Sequence, residues 1–392
     1  MKPYHFFLVL FLLTLLPAAF AHAENGVFED KIVFGQTAAL NGPASALGEG
    51  MNAGILAAFK EINDNGGING RKLELDALDD GYEPEVAIQN TKQLINDKKV
   101  FALIGGVGTP TANAIEPITT ESKVPFIGPF TGAEFLRSPF KRYVVNIRGS
   151  YWQETEEWIK RLTEDLNIKR IAILYQDDSY GRAGLSGVEK ALEKRNMKLV
   201  GSGNYLRNTT AIKTAVLEIR KSDPEAVVMV GAYKPCAAFI KTYKKLGYKG
   251  LFVNISFVGS DALSQELKEE GEGVIISQVV PFPYDAKASE LVKNYQHALK
   301  SYKPESSYGF VTLEGYMVGR LVGKILQNMD GDISREAFLD KIYELKDVDL
   351  DDIQLHFGPE DNQGMDKVFM TILQKDGTFL PVNRLRQSEA TP

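Results

Sequence analysis

From Lys31 onward the chain alternates short runs rich in Val, Ile and Phe with longer stretches whose apolar residues recur at helical spacing. KIVFGQ, KLELDAL, VFALIGG and VPFIGPF read as strands, and 51–63, 84–97 and 110–122 between them read as helices. Strands that return in the same direction after each helix build a mostly parallel sheet with helices on both faces. After YVVNIR the pattern starts again, through RIAILYQ, KLVGSGNYL, EAVVMVGA, GLFVNIS and GVIISQVV with helical stretches between. The expectation is an α/β chain of two doubly wound parallel-sheet lobes joined by short crossing segments. A length of 392 residues supports that division, because single cores stop growing near ~250 to 300 residues. The remaining chain adds helices near 288–302, 313–329 and 337–345 and closes on a hairpin, KVFMTILQ-KDG-TFLPV.

The first 23 residues read as separate from the fold. A single lysine precedes an apolar run from Phe6 to Leu16, then Pro17, then Ala21-His22-Ala23. That pattern predicts a cleaved secretory signal at 1–23, since the run falls short of the ~20 residues a membrane span needs. Cys236 is the only cysteine, so neither a disulfide framework nor a lipidated N-terminal cysteine is expected. A periplasmic protein that is not a lipoprotein and is not itself inserted in the membrane fits these features. The net charge of −6 gives no basis for nucleic-acid binding.

The stretch LIGGVGTPTANAI, at 103–115, lies where parallel sheets bind ligands, past a strand end and at the start of a helix. A dinucleotide fingerprint would follow the first strand and carry a third glycine, where Thr111 stands here. A phosphate loop would end in Gly-Lys-Ser/Thr, and the turn holds no lysine. Read from helix physics, Thr109 is an N-cap and Pro110 the first helical residue. A hydroxyl, free backbone amides and the nearby Gly108 then suit a carboxylate, although Thr109 can equally serve only to cap its helix. A second turn of this kind, IGPFTGAEFL at 127–136, presents Phe130, Thr131 and Gly132, and the loop TAALNGPASALGEGM supplies a third.

Taken together, NGPASALGEGMNAG, FKEINDNGGINGRKLEL, DDGYEP, the LIGGVGTPTANAI turn, YQDDSYG, VGAYKPC and NISFVGSDAL resemble the type I periplasmic binding proteins of the leucine/isoleucine/valine-binding class. The resemblance covers essentially the whole chain after residue 23. It implies two lobes linked by three crossing segments, with lobe 1 at 24–149 plus 280–364 and lobe 2 at 150–279 plus 365–392. It further implies hinge closure on a small ligand and delivery to the permease and ATPase of an ABC importer in the inner membrane. By position, Thr109, Thr131 and Gly132 would hold a ligand carboxylate, Leu47 would form an apolar wall, and Tyr180 and Tyr233 would face it from lobe 2. Amino-acid-binding members place an acid near the end of the NIS strand, where this chain has Ser256. Either Asp79, Asp177 or Asp178 replaces it, or the ligand lacks an ammonium. The second is favoured because Tyr151, Trp152, Phe257 and Phe282, with Tyr180 and Tyr233, offer surface for a planar or aromatic carboxylate.

A ligand sensor that reports to a membrane receptor would use the same cleft and is the alternative function. Catalysis is remote. His297 and His356 share no motif with a nucleophile, no zinc or nucleophile-elbow pattern occurs, and neither a cofactor nor a metal is expected.

Overall fold

The computed structural model describes residues 24–386, so the expected signal at 1–23 lies outside the described residues. The first sheet runs in the order β2-β1-β3-β4-β5, all parallel. Its strands are β1 (Lys31–Ala38), β2 (Lys72–Asp79), β3 (Leu103–Ile104), β4 (Phe126–Ile127) and β5 (Val144–Val145). Side chains of β1 alternate between faces, as a period of two requires. Ile32 and Phe34 join the main core, while Val33 faces a smaller one with Leu94 and Ile115. Helices α2 (Pro84–Asn96) and α3 (Thr109–Glu121) cover that second face, and α1 (Ser45–Asp64) covers the first.

The second sheet runs β14-β13-β10-β9-β8-β6-β7. Strands β6 (Ile171–Gln176), β7 (Gly201–Tyr205), β8 (Ala226–Val230), β9 (Leu251–Asn254) and β10 (Ile275–Gln278) are parallel. The closing hairpin, β13 (Phe369–Leu373) and β14 (Phe379–Val382), adds to it antiparallel. Helices α4 (Tyr151–Lys160), α5 (Ser179–Glu193), α6 (Lys213–Lys221), α7 (Tyr233–Lys245) and α8 (Ser260–Leu267) alternate with these strands. The chain therefore passes between the sheets three times: after β5, after β10 and before β13. The first and third passages run side by side, Asn146 donating to the Asn362 carbonyl and Gly364 to that of Asn146, each at 2.8 Å.

Between the second and third passages lie α9 (Glu290–Tyr302), α10 (Phe310–Gln327), α11 (Arg335–Leu345) and a hairpin of β11 (Asp347–Leu350) and β12 (Ile353–His356) that the sequence reading did not anticipate. Helix α10 packs closely along α1. A Cβ on Gly54 would lie 2.1 Å from the Thr312 carbonyl oxygen, and one on Gly315 would lie 2.3 Å from that of Met51. Among the described residues no helix is long and apolar enough to cross a membrane.

In both sheets the chain order reverses between the first strand of the unit and its third, at β1/β3 and at β6/β8. Reversal leaves a crevice at the carboxyl ends of those strands, where open α/β sheets take ligands. The close crossing of α1 and α10 makes one consequence measurable. Gly54→Val forces the helices apart and is expected to cost about 2–3 kcal/mol in urea denaturation, and an unchanged midpoint would contradict this packing.

Candidate functional site

Pairing between β3 and β4 continues past the strand ends and fixes the two glycine-rich turns against each other. Phe130 donates to the Gly106 carbonyl at 2.8 Å, and Gly108 to that of Phe130 at 3.3 Å. Gly108 holds a φ of +109°, open to glycine and strained for other residues, with the Tyr82 ring packed where a side chain would begin. The N-cap of α3 is Gly108, with Thr109 the first helical residue. The expectation that Thr109 caps the helix is corrected accordingly: its hydroxyl makes no capping bond and turns to a neighbouring loop instead.

There it meets Thr131. The two hydroxyl oxygens are 2.6 Å apart, and the Tyr151 hydroxyl lies 3.4 Å from Thr109 and 3.3 Å from Thr131. All three side chains are buried. Tyr151 is drawn in by its own backbone, which donates to the Gly132 carbonyl at 2.7 Å. Ser150 before it caps α4 in a reciprocal capping box with Gln153. Buried Arg137 braces both loops, donating to the carbonyls of Ala133, Thr131 and Arg148. Burial pulls its guanidinium down to about 10.

Aromatic rings from both lobes close over these hydroxyls. Ring centroids of Tyr151 and Tyr180 are 5.6 Å apart, those of Tyr180 and Phe257 4.6 Å, and those of Phe130 and Phe257 5.2 Å. Tyr82, unnoticed in the sequence, adds its ring 6.1 Å from Phe257 and accepts from Gln176 of the other lobe at 3.2 Å. The only sequence cue to it is its place beside Gly81 in DDGYEP. It sits at φ +65°, where its amide donates to the Asp80 carboxylate at 2.8 Å. Tyr180 opens α5 and Tyr233 opens α7, the two helices that follow the β6/β8 switch point. At the edge of this cluster a cavity of about 340 Å³ lies between the lobes, bordered by Pro43, Ala44, Tyr82, Gln176, Asn208 and Ala232.

Not every expected residue joins the cluster. Leu47 is buried against Gly259 of the opposite lobe, and Tyr233 reaches lobe 1 by accepting from the Ala46 amide at 3.5 Å. Phe282 stands apart, packing edge-on with Tyr284 and Phe310 because the second crossing carries it beneath α10. Trp152 is 37% exposed and stacks under Lys190, since its helix turns it away from the buried face of Tyr151. Asp79 binds the amides of Leu40 and Asn41, Asp177 pairs with Arg182, and Asp178 caps α5. Those three acids are occupied in shaping loops.

The acid at the end of β9 comes instead from α4. Glu154, fully buried, accepts from the Ser256 amide and hydroxyl at 2.9 Å each and from the Ser277 hydroxyl at 2.5 Å. Its partner is Arg148, on the first crossing, whose Nη2 lies 3.3 Å from Glu154 and also donates to the Ser256 hydroxyl. From the first lobe Glu314 on α10 completes the group, 3.4 Å from Nη1 of Arg148. The guanidinium lies over Phe130, 4.9 Å from the ring centroid. Burial lifts the Glu314 carboxyl from 4.5 to about 7, against the pull of Arg148. A charge at a position where helical spacing demands an apolar residue was the available signal: Glu154 shares a face with Tyr151 and Trp158.

Across the rim, Arg207 of lobe 2 pairs with Glu83 of lobe 1 at 2.7 Å, and Asn208 donates to Glu83 and to the Gly81 carbonyl. These contacts hold the lobes together over the ring cluster.

The family model described as periplasmic binding protein matches residues 31–378. The Leu/Ile/Val-binding protein of Escherichia coli K12 is 24% identical over 293 residues, 75% of this chain and 78% of that one. A possible leucine/isoleucine/valine-binding protein from Rhodopirellula baltica SH 1, known by its crystal structure, superposes with a TM-score of 0.86 at 35% identity, covering 92% of this chain and 98% of that one. A fatty acid ABC transporter substrate-binding protein from Thermomonospora curvata shares the fold at 19% identity and a TM-score of 0.82, covering 94% and 95%.

The raised carboxyl of Glu314 carries a pH signature. Between pH 4.5 and about 7 the folded chain retains a proton that the unfolded chain releases. Stability therefore falls as pH rises through that window and levels off above it. Glu314→Gln is expected to lose this component, so that its melting temperature drops less than that of the wild type between pH 5 and 7.5. Parallel curves for the two proteins would contradict the assignment.

Proposed function

The chain belongs to the periplasmic binding proteins, of the type I leucine/isoleucine/valine-binding class, and on that premise we propose that it captures a small carboxylate-bearing solute between its lobes and delivers it to the permease and ATPase of an ABC importer. The observation that carries this reading is the buried hydroxyl trio of Thr109, Thr131 and Tyr151, which the segments following β3, β4 and β5 bring together. Three hydroxyls that face one another at hydrogen-bond distance offer donors to an inserted carboxylate without placing a full positive charge on it. The relative from Escherichia coli K12 is named for leucine, isoleucine and valine, each of which carries a carboxylate.

We favour a solute without an ammonium, and with a planar or aromatic body. Asp79, Asp177 and Asp178 are engaged elsewhere, while Phe130, Tyr180 and Phe257 surround the trio with ring surface. Closure follows from contacts made only when the lobes meet, such as Arg207 with Glu83 and Gln176 with Tyr82. The lobes are taken as 24–149 plus 280–364 and 150–279 plus 365–392, with secretion through a cleaved signal at 1–23 and a periplasmic address.

A thermal-shift and calorimetric screen of carboxylate metabolites tests the reading on protein unfolded and refolded to strip any retained solute. One-to-one binding that raises the melting temperature is expected, and Thr109→Val should weaken it about tenfold, the loss of one hydrogen bond to a charged group. A screen in which no carboxylate binds, or a Thr109→Val variant of unchanged affinity, would contradict it.

A further inference from the structure

Among the described residues, the fully buried carboxylate that the second lobe presents beside the ring cluster is that of Glu154, and it is saturated. Two hydroxyls, one backbone amide and the Arg148 guanidinium converge on its two oxygens. Glu314 is committed to the other arm of the same guanidinium. Elsewhere at the cleft Asp80 is held by Thr37 and the Tyr82 amide, and Asp178 by Arg207 and the amides of Tyr180 and Gly181. A ligand ammonium placed against Phe130, Tyr180 and Phe257 would find these acids taken.

We infer that Arg148 is a specificity-determining residue: a resident cation that occupies the lobe 2 acid, so that the cleft accepts a carboxylate and refuses an α-ammonium beside it. This rests on the carboxylate reading of the hydroxyl trio. Three features support it. Arg148 has no solvent exposure and approaches the rings directly, with Phe130 at 4.9 Å and Tyr151 at 6.0 Å. Among the described residues its Nε has no hydrogen-bond partner, which leaves a buried N–H to meet an acceptor. Its partner Ser256 stands next to Phe257, which touches both Tyr180 and Phe130. Cation and ring surface therefore share one wall, and a ligand ammonium there would be desolvated with no carboxylate left free to pair with it.

Matched pairs that differ only in the α-ammonium read this out: 3-phenylpropanoate against L-phenylalanine, and 4-methylpentanoate against L-leucine, each titrated calorimetrically into the refolded full-length protein. The wild type should bind the acid of a pair on the order of a hundredfold more tightly than the amino acid. Arg148→Met frees Glu154 and should collapse or reverse that ratio, while Arg148→Lys retains a cation and should preserve it. Arg148→Gln, which keeps hydrogen-bonding groups against Glu154 and Ser256, serves as a second charge-removing variant should Arg148→Met not fold. A wild type that prefers the amino acids overturns the inference, as does a ratio unmoved by removal of the charge. A wild type that binds carboxylates with no dependence on Thr109 overturns the hydroxyl-trio reading beneath it while leaving the ratio test standing on its own.

Discussion

A guanidinium cut off from solvent organises the middle of this molecule. Arg148 lies on the first passage between the lobes and is held by a carboxylate from each, Glu154 of α4 and Glu314 of α10. Buried ion pairs of this kind recover their desolvation cost only when further hydrogen bonds complete them. Here Ser256 and Ser277 complete Glu154, and Arg137 takes the carbonyl of Arg148 itself. The crossing is thereby tied to both lobes, and the turns bearing Thr131 and Tyr151 are tied to the crossing through Arg137 and the Gly132 carbonyl. Burial raises the Glu314 carboxyl of this group against the pull of the Arg148 guanidinium.

Around that group the two lobes contribute different chemistry from the same topology. Each sheet reverses its strand order once between its first and third strands, and each reversal aims its loops at the other lobe. The first lobe's loops bring hydroxyls, Thr109 and Thr131, together with Phe130 and Tyr82. Helix starts in the second bring Tyr180 and Tyr233, and the end of β9 leads to Phe257. That division of chemistry between the lobes is the ground on which we propose a solute with one anionic end and an apolar body. The cleft's specificity would then be set where polar and aromatic walls meet, at Arg148.

Much of the framework was legible in the sequence because it rests on local rules. Alternating apolar strands and amphipathic helices predicted both sheets, and the glycine-rich turns within 103–115 and 127–136 lie past the ends of β3 and β4 and pair with each other. Residues whose position depends on distant contacts were not legible. Phe282 looked like a cleft aromatic, yet the second crossing places it beneath α10 beside Tyr284 and Phe310. Thr109 looked like an N-cap, yet the neighbouring loop captured its hydroxyl. Asp79, Asp177 and Asp178, which lie near strand ends, looked like replacement acids, whereas Glu154 reaches Ser256 from a helix 102 residues earlier. Glu154 and Glu314 each interrupt an otherwise apolar helix face and Arg148 lies on the irregular crossing between β5 and α4, and no single stretch shows that the three meet.

Native mass spectrometry of the protein purified without refolding tests the central claim most directly, because a solute enclosed between closed lobes survives gentle transfer. The account predicts a retained small acid that lacks an amine and is released by Thr109→Val. A retained amino acid would contradict it.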